Sequence, residues 1–150
     1  MTFSAWQRAF LDAARVGRLG TITRDGRPHL VPVCYAMWEG KVVIAIDEKP
    51  KHGTELARLR NIHRDPRVSL LVDDYSDDWE QLAWVRLDGT AAIVPRADEL
   101  PGALAELRKR YPQYRQMNLE ARPMIVISPA RVVEWRWTAG GARDPSQRKR

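Results

Sequence analysis

Residues 18–47, RLGTITRDGRPHLVPVCYAMWEGKVVIAID, decide the fold. The segment contains three apolar runs, which are separated by Asp25-Gly26 and by Glu39-Gly40. Asp-Gly between strand-like runs is a strong signal for a β-hairpin, because glycine readily adopts the positive φ that tight hairpin turns need. The segment therefore predicts three consecutive antiparallel strands. Pro32 has no N–H for a sheet ladder, so the second strand is expected to form an edge, a bulge or a bend there.

The rest of the chain continues this pattern with helices at the margins. The apolar spacing predicts an N-terminal helix that Thr2 or Ser4 could cap, a second helix from Thr54 to about Arg64, and a third within residues 97–114. Four further strands are predicted at 65–75, 80–94, 122–128 and 130–137, with a bulge or tight bend at residues 88–89. The predicted fold is mainly β with flanking helices: a six- to seven-stranded antiparallel sheet that closes into a small barrel.

Composition limits the class of protein. A chain of 150 residues with 44% hydrophobic content predicts one domain, assigned to residues 1–138, and a basic, flexible tail at 139–150. The single cysteine, Cys34, excludes an intramolecular disulfide. The N-terminal segment lacks the pattern of a secretory signal, and no apolar run reaches the roughly 18 residues of a membrane span. We expect a cytoplasmic protein with no membrane partner. The net charge of +6 comes with no nucleic-acid-binding motif, so no nucleic acid partner is expected.

No catalytic side chain stands out in the sequence. The spacings of His29, His52 and His63 fit no zinc pattern, so no metal site is predicted. No nucleophile elbow or Walker loop is present. This pattern is typical of proteins that bind and orient a cofactor, which itself supplies the difficult chemistry.

A basic segment, DEKPKHGTELARLRNI at residues 47–62, joins the third strand to the second helix. The N-terminus of a helix favours an anion, because it presents free N–H groups and the positive end of the helix dipole. Phosphate is therefore a natural ligand for this segment. A solvated turn is the alternative, since Glu48 and Glu55 neutralise part of the charge. The residues alone leave both interpretations open.

Four segments in this order, DGRPHLVPV, DEKPK, RLRNIHRDPRVSLLVDDY and WVRLDG, resemble the pyridoxamine-5′-phosphate-oxidase-like split β-barrel family. The similarity extends from about Gly17 to Val94 and is greatest to the branch of probable coenzyme F420-dependent enzymes. The resemblance implies a homodimer with a flavin-like cofactor at the interface, and hydride transfer from reduced F420 to a small unsaturated or conjugated organic acceptor. FMN is the alternative cofactor. A non-catalytic protein that binds flavin, haem or tetrapyrrole is the alternative class.

The resemblance also implies which residues contact the cofactor. Arg58, eight residues before Pro66, takes the position of a phosphate-binding basic residue; Lys51 is expected at the phosphate and Lys49 at the ribityl or phosphate end. The second strand is expected to run along the tricyclic ring, with Ile46 and Asp47 beside the cofactor chain. Trp84 is expected to stack on the ring, and Trp135 or Trp137 to reach across from the partner chain, although Trp84 and Trp135 also suit packing. The implied cofactor-binding residues are His29, Leu30, Val31, Pro32, Val33, Ile46, Asp47, Lys49, Lys51, Arg58, Trp84 and Trp135.

Overall fold

The computed structural model describes residues 1–47 and 55–139. This part of the chain forms one seven-stranded antiparallel sheet and three α-helices. The helices are α1 (Ala5–Ala13), α2 (Ala57–Arg64) and α3 (Pro101–Arg110). The strands are β1 (Gly17–Ile22), β2 (Pro28–Val33), β3 (Ala36–Trp38), β4 (Lys41–Ala45), β5 (Arg67–Asp74), β6 (Ala83–Val94) and β7 (Met124–Arg136). The predicted mainly β, antiparallel fold is confirmed.

The strand order, β2-β1-β5-β6-β7-β4-β3, places β2 and β3 at opposite edges of the sheet. Only Cys34 and Tyr35 separate these strands in the sequence. Three Cα–Cα steps span at most about 11 Å, so the sheet must curl until its two edges almost meet. The result is a split barrel. Pro32 lies on the edge strand β2, as its missing N–H predicted.

The second predicted strand, which was expected to continue to Trp38, is interrupted at Cys34 and Tyr35. The Tyr35 side chain is fully buried, and its hydroxyl donates to the carbonyl of Leu11 in α1 at 2.6 Å. Its backbone N–H donates to the hydroxyl of Tyr111, just after α3, at 3.1 Å. Burial raises the pKa of Tyr35 to about 12, against a smaller opposing effect of Arg110. These contacts with two helices turn the chain out of β2 and into β3.

The two final predicted strands form one long strand, β7, which pairs with β6 through a register shift between Asp88 and Gly89. This shift confirms the predicted bulge. Gly89 pairs with Pro129 there, and a Cβ on Gly89 would lie only 2.2 Å from the carbonyl oxygen of Ser128. The bulge lets the proline remain inside a continuous strand.

The helices cover the sheet on two sides. Leu11 of α1 and Leu59 and Ile62 of α2 pack into the core inside the barrel, whereas Leu104 and Leu107 of α3 pack into a second core on β3, β4 and β7. Ser4 caps α1, with a reciprocal hydrogen bond from its N–H to the Gln7 side chain. The third predicted helix is shorter than expected, because short 3₁₀ turns flank α3. None of the helices in residues 1–47 and 55–139 is long and apolar enough to cross a membrane.

Candidate functional site

The five predicted contacts on β2 divide between two faces of the sheet. His29, Val31 and Val33 turn toward the barrel interior, opposite buried residues of β1 such as Thr21 and Leu19. Leu30 and Pro32 turn to the opposite face, where Leu30 is 71% exposed. Their side chains therefore cannot all contact one flat ligand. Within the described residues β2 pairs only with β1, so half of its backbone N–H and C=O groups point away from the sheet. Backbone contacts to a ring edge fit this geometry.

The start of α2 is positively charged, and no side chain among the described residues caps it. Leu56 is its N-cap residue and cannot accept a hydrogen bond through its side chain, and no acidic residue occupies the first turn. Arg58 and Arg60 lie there instead. Basic side chains at the positive end of a helix dipole are unfavourable unless an anion compensates them. The guanidinium of Arg60 donates to the backbone carbonyl of Glu55.

Arg58 has unsatisfied hydrogen-bonding capacity. The residue is half-buried, and its Nε is fully buried without a hydrogen-bond partner among the described residues. A buried donor left unpaired costs roughly 1–3 kcal/mol, and more when it is charged. A phosphate oxygen would satisfy it, since guanidinium groups form strong charge-assisted bonds with phosphate. The donor chemistry of Arg58 therefore fits the phosphate group of the implied cofactor.

A buried polar pair connects α2 to β1, and sequence reasoning missed it. The Asn61 amide nitrogen donates to the Thr21 hydroxyl at 3.0 Å, and its amide oxygen accepts from the Arg64 guanidinium at 2.9 Å. Asn61 is 6% exposed and Thr21 is 2% exposed. The sequence shows an apolar stripe of Leu56, Leu59 and Ile62 at helical spacing, but it contains no local signal that places Asn61 against β1.

Four of the predicted cofactor contacts follow the end of β4 in the sequence. Ile46 is buried in the barrel core, so its side chain serves packing. Asp47 is half-buried, and its backbone carbonyl accepts a hydrogen bond from Arg122. Lys49 and Lys51 lie outside the described residues, and their predicted roles stay predictions.

Trp84 and Trp135 lie together on neighbouring strands. They pair directly across β6 and β7 on the face of the sheet turned away from the barrel core, which we call the outer face. Both are half-buried and line a cavity of about 490 Å³ with Tyr75, Leu82 and Asp73. Leu30 and Pro32 share the outer face. The structure thus places the implied residues in two groups, one at α2 and the barrel interior and one on the outer face.

A second outer-face cavity, of about 710 Å³, lies beside the β1–β2 hairpin. Gly20, Leu30, Ser69 and Asp88 contribute to its lining. Asp88 accepts hydrogen bonds from the Ser69 hydroxyl at 2.7 Å and from Arg86 Nε at 3.0 Å. Sequence reasoning missed this polar group. The i, i+2 spacing of Arg86 and Asp88 on a strand was the available signal, because it places both side chains on one face. The part of the chain that the structure describes contains no group of three or more His, Cys, Asp or Glu side chains suited to a metal ion.

The comparison with protein families identifies the class. The family model described as pyridoxamine 5′-phosphate oxidase matches residues 4–136, which contain every described strand and α-helix. The chain belongs to this family, and the split barrel agrees with it.

One relative with a named activity and one solved structure are similar to nearly the whole chain. A 5a,11a-dehydrotetracycline/5a,11a-dehydrooxytetracycline reductase of Streptomyces rimosus is 32% identical over 139 residues, which cover 90% of this chain and 84% of the relative. A conserved hypothetical protein of Mycobacterium tuberculosis has a similar structure, with a TM-score of 0.72, 29% identity and coverage of 91% of this chain and 86% of that one.

Two further solved structures carry a ligand class in their names. A haem-binding protein of Mycobacterium smegmatis has a TM-score of 0.66 and 28% identity; the match covers 90% of this chain but 55% of that one. An FAD-binding protein of Mesorhizobium loti has a TM-score of 0.63 and 26% identity, with coverage of 89% of this chain and 95% of that one.

Proposed function

We propose that this protein is an oxidoreductase that uses reduced coenzyme F420 to transfer a hydride to a small unsaturated or conjugated organic acceptor. It acts as a homodimer with the cofactor at the interface between the two chains. The observation that carries the proposal is Arg58 at the basic start of α2, whose buried Nε has no hydrogen-bond partner among the described residues. A cationic donor in that position fits the phosphate group that F420 and FMN share.

The relatives support the type of reaction. The 32% identical Streptomyces rimosus protein is named as a reductase, and the Mesorhizobium loti neighbour is named as FAD-binding. When bound, reduced F420 supplies the hydride. The sequence segments that resemble the F420-dependent branch favour this cofactor over FMN.

The residues of this chain bind and orient the reactants. Arg58 donates to the phosphate, and the free edge of β2 donates and accepts at the ring edge. Trp84 and Trp135 offer flat apolar surface on the outer face, where a partner chain would pack. Holding donor and acceptor in contact and excluding water are the contributions that such a site makes to the rate. Lys49 and Lys51 would add positive charge near the phosphate.

Haem binding without catalysis is the second candidate, because a 28% identical neighbour is named as haem-binding. The two candidates differ in ligand and in turnover. Purified protein is titrated with F420, FMN and haemin while its absorption spectrum and native mass are recorded. We expect one F420 per chain and a dimeric mass, and then oxidation of reduced F420 when conjugated acceptors are added. Binding of haemin alone would favour the second candidate, and binding of neither F420 nor FMN contradicts the proposal.

A further inference from the structure

We infer that Asn61 and Thr21 form a positioning pair that fixes Arg58 for binding the phosphate of the cofactor. The inference rests on the proposed phosphate contact of Arg58 and adds two residues that do not touch the ligand themselves. Arg58 and Asn61 are three residues apart on α2 and therefore lie on the same helix face. The bond between Asn61 and Thr21 attaches that face to β1.

The orientation of the Asn61 amide is fixed by its neighbours. Arg64 can only donate, so the amide oxygen of Asn61 must face its guanidinium, at 2.9 Å. The amide nitrogen then faces the Thr21 hydroxyl, which accepts at 3.0 Å. Only this orientation of the Asn61 amide satisfies both hydrogen bonds, so the contact between Asn61 and Thr21 has a fixed direction.

Small movements of α2 matter for a phosphate contact. With side chains, an α-helix has a radius of about 5–6 Å, so a rotation of about 10° displaces a side-chain group by about 1 Å. A charge-assisted N–H···O bond is about 2.7–2.9 Å long. A displacement of the donor by about 1 Å therefore weakens the bond strongly. Leu59 and Ile62 attach α2 to the barrel core, but apolar packing has little directionality. The hydrogen bond to Thr21 supplies the directional restraint.

The position of the pair also argues against a role in stability alone. A buried hydrogen-bonded pair contributes about as much stability as apolar groups of the same shape. Thr21 faces the barrel interior, where its neighbour along the same face of β1, Leu19, is fully apolar and buried. A valine at position 21 would fit this apolar environment. It could not accept the hydrogen bond from the Asn61 amide, which the Thr21 hydroxyl accepts.

The test compares phosphate-bearing with phosphate-free ligands. Thr21→Val removes the acceptor at nearly constant shape, and Thr21→Ser keeps the hydroxyl. Affinities are measured for FMN against riboflavin, and for F420 against its ring and ribityl portion without the phosphate. We expect Thr21→Val to weaken FMN and F420 binding about tenfold. Complete loss of a hydrogen bond to a charged group lowers affinity roughly 10- to 100-fold, and a misplaced Arg58 should lose only part of its bond. Binding of the two phosphate-free ligands should not change, and Thr21→Ser should bind like the wild type.

Asn61→Leu provides a second variant if Thr21→Val does not fold, with thermal unfolding as the check, and the same phosphate-specific loss is expected. Equal losses for phosphate-bearing and phosphate-free ligands, or unchanged affinity for FMN and F420, overturn the positioning role. Arg58→Glu, measured in parallel, separates the two hypotheses. If Arg58→Glu weakens binding and Thr21→Val does not, only the positioning inference fails. If neither substitution changes binding, the proposed phosphate contact fails as well.

Discussion

Trp84 and Trp135 lie directly opposite each other on β6 and β7, and both indole rings are turned to the outer face. Each is half-buried, and neither belongs to the part of the outer face that α3 covers, which lies on β3, β4 and the first residues of β7. A tryptophan combines a large apolar ring with one N–H donor, and such rings stack well on other flat systems. The pair therefore offers a flat surface next to a cavity that a conjugated ligand can enter.

Trp84→Leu tests whether this surface contacts the ring of the cofactor. We expect about fivefold weaker F420 binding, since stacking contributes about 0.5–1.5 kcal/mol beyond the area it buries. Binding should also quench the tryptophan fluorescence of the wild type more than that of the variant. Trp79→Leu is the matched control, because Trp79 is 68% exposed on the turn before β6. Equal effects of the two substitutions would assign Trp84 to packing.

The sequence predicted those parts of the fold that depend on local chemistry. Asp25-Gly26 marked the β1–β2 turn, and Gly26 indeed has a φ of 82°. Pro32 marked an edge strand. The break at Tyr35 could not be predicted, because its cause is contact with Leu11 and Tyr111, the latter 76 residues away.

In the candidate site, too, the sequence predicts what depends on local residues and misses what depends on contacts between distant parts of the chain. Arg58 could be singled out by its charge and its offset from Pro66. Asn61 could not, because its importance depends on Thr21, which is 40 residues away in the sequence. The division of β2 into two faces follows from strand periodicity, but the choice of the inward face depends on what β1 buries.

Arg58→Glu should weaken binding of F420 and of FMN by about 3 kcal/mol, through loss of a charge-assisted bond and added repulsion of the phosphate. The measurement is a fluorescence or calorimetric titration. The fold should survive, because Leu59 and Ile62 carry the apolar face of α2.

Arg60→Glu is the matched control, since it makes the same change of charge in the same helical turn. Arg60 is exposed and its guanidinium is already bound to the carbonyl of Glu55. Its replacement should have a smaller effect that high salt abolishes. Unchanged affinity of the Arg58 variant for both cofactors would show that the phosphate lies elsewhere.

Gly89→Ala should destabilise the barrel by about 3 kcal/mol, since overpacking in a tight site costs 1–3 kcal/mol or more. The new Cβ would lie 2.2 Å from the backbone oxygen of Ser128 and 2.9 Å from Cα of Pro129, so backbone atoms would have to move. Urea unfolding measures the change. Thr90→Ala, at the exposed next position of β6, should change stability by less than about 1 kcal/mol. A Gly89→Ala variant as stable as the wild type would mean that the bulge between β6 and β7 can relax.

Asp65 should make stability depend on pH in acid. Its carboxylate accepts two hydrogen bonds from the Arg67 guanidinium, at 3.0 and 2.7 Å, and a third from the Arg67 backbone N–H at 3.1 Å. These bonds hold the pKa of Asp65 at about 2, below its ordinary value of 3.8. Because the folded state favours the ionised form, the contribution to stability is complete above the unfolded pKa of about 3.8 and disappears as the pH falls through about 2.

Asp65→Asn should therefore lower the midpoint of thermal unfolding at pH 7, and the difference from the wild type should shrink between pH 5 and pH 2. Arg67→Met, which removes the guanidinium but keeps the backbone N–H, should remove most of the same pH dependence. Because Asp65 follows α2 directly and Arg67 begins β5, the pair also fixes the chain between α2 and the sheet. A constant difference between Asp65→Asn and the wild type across this pH range would show that the ion pair does not form in solution.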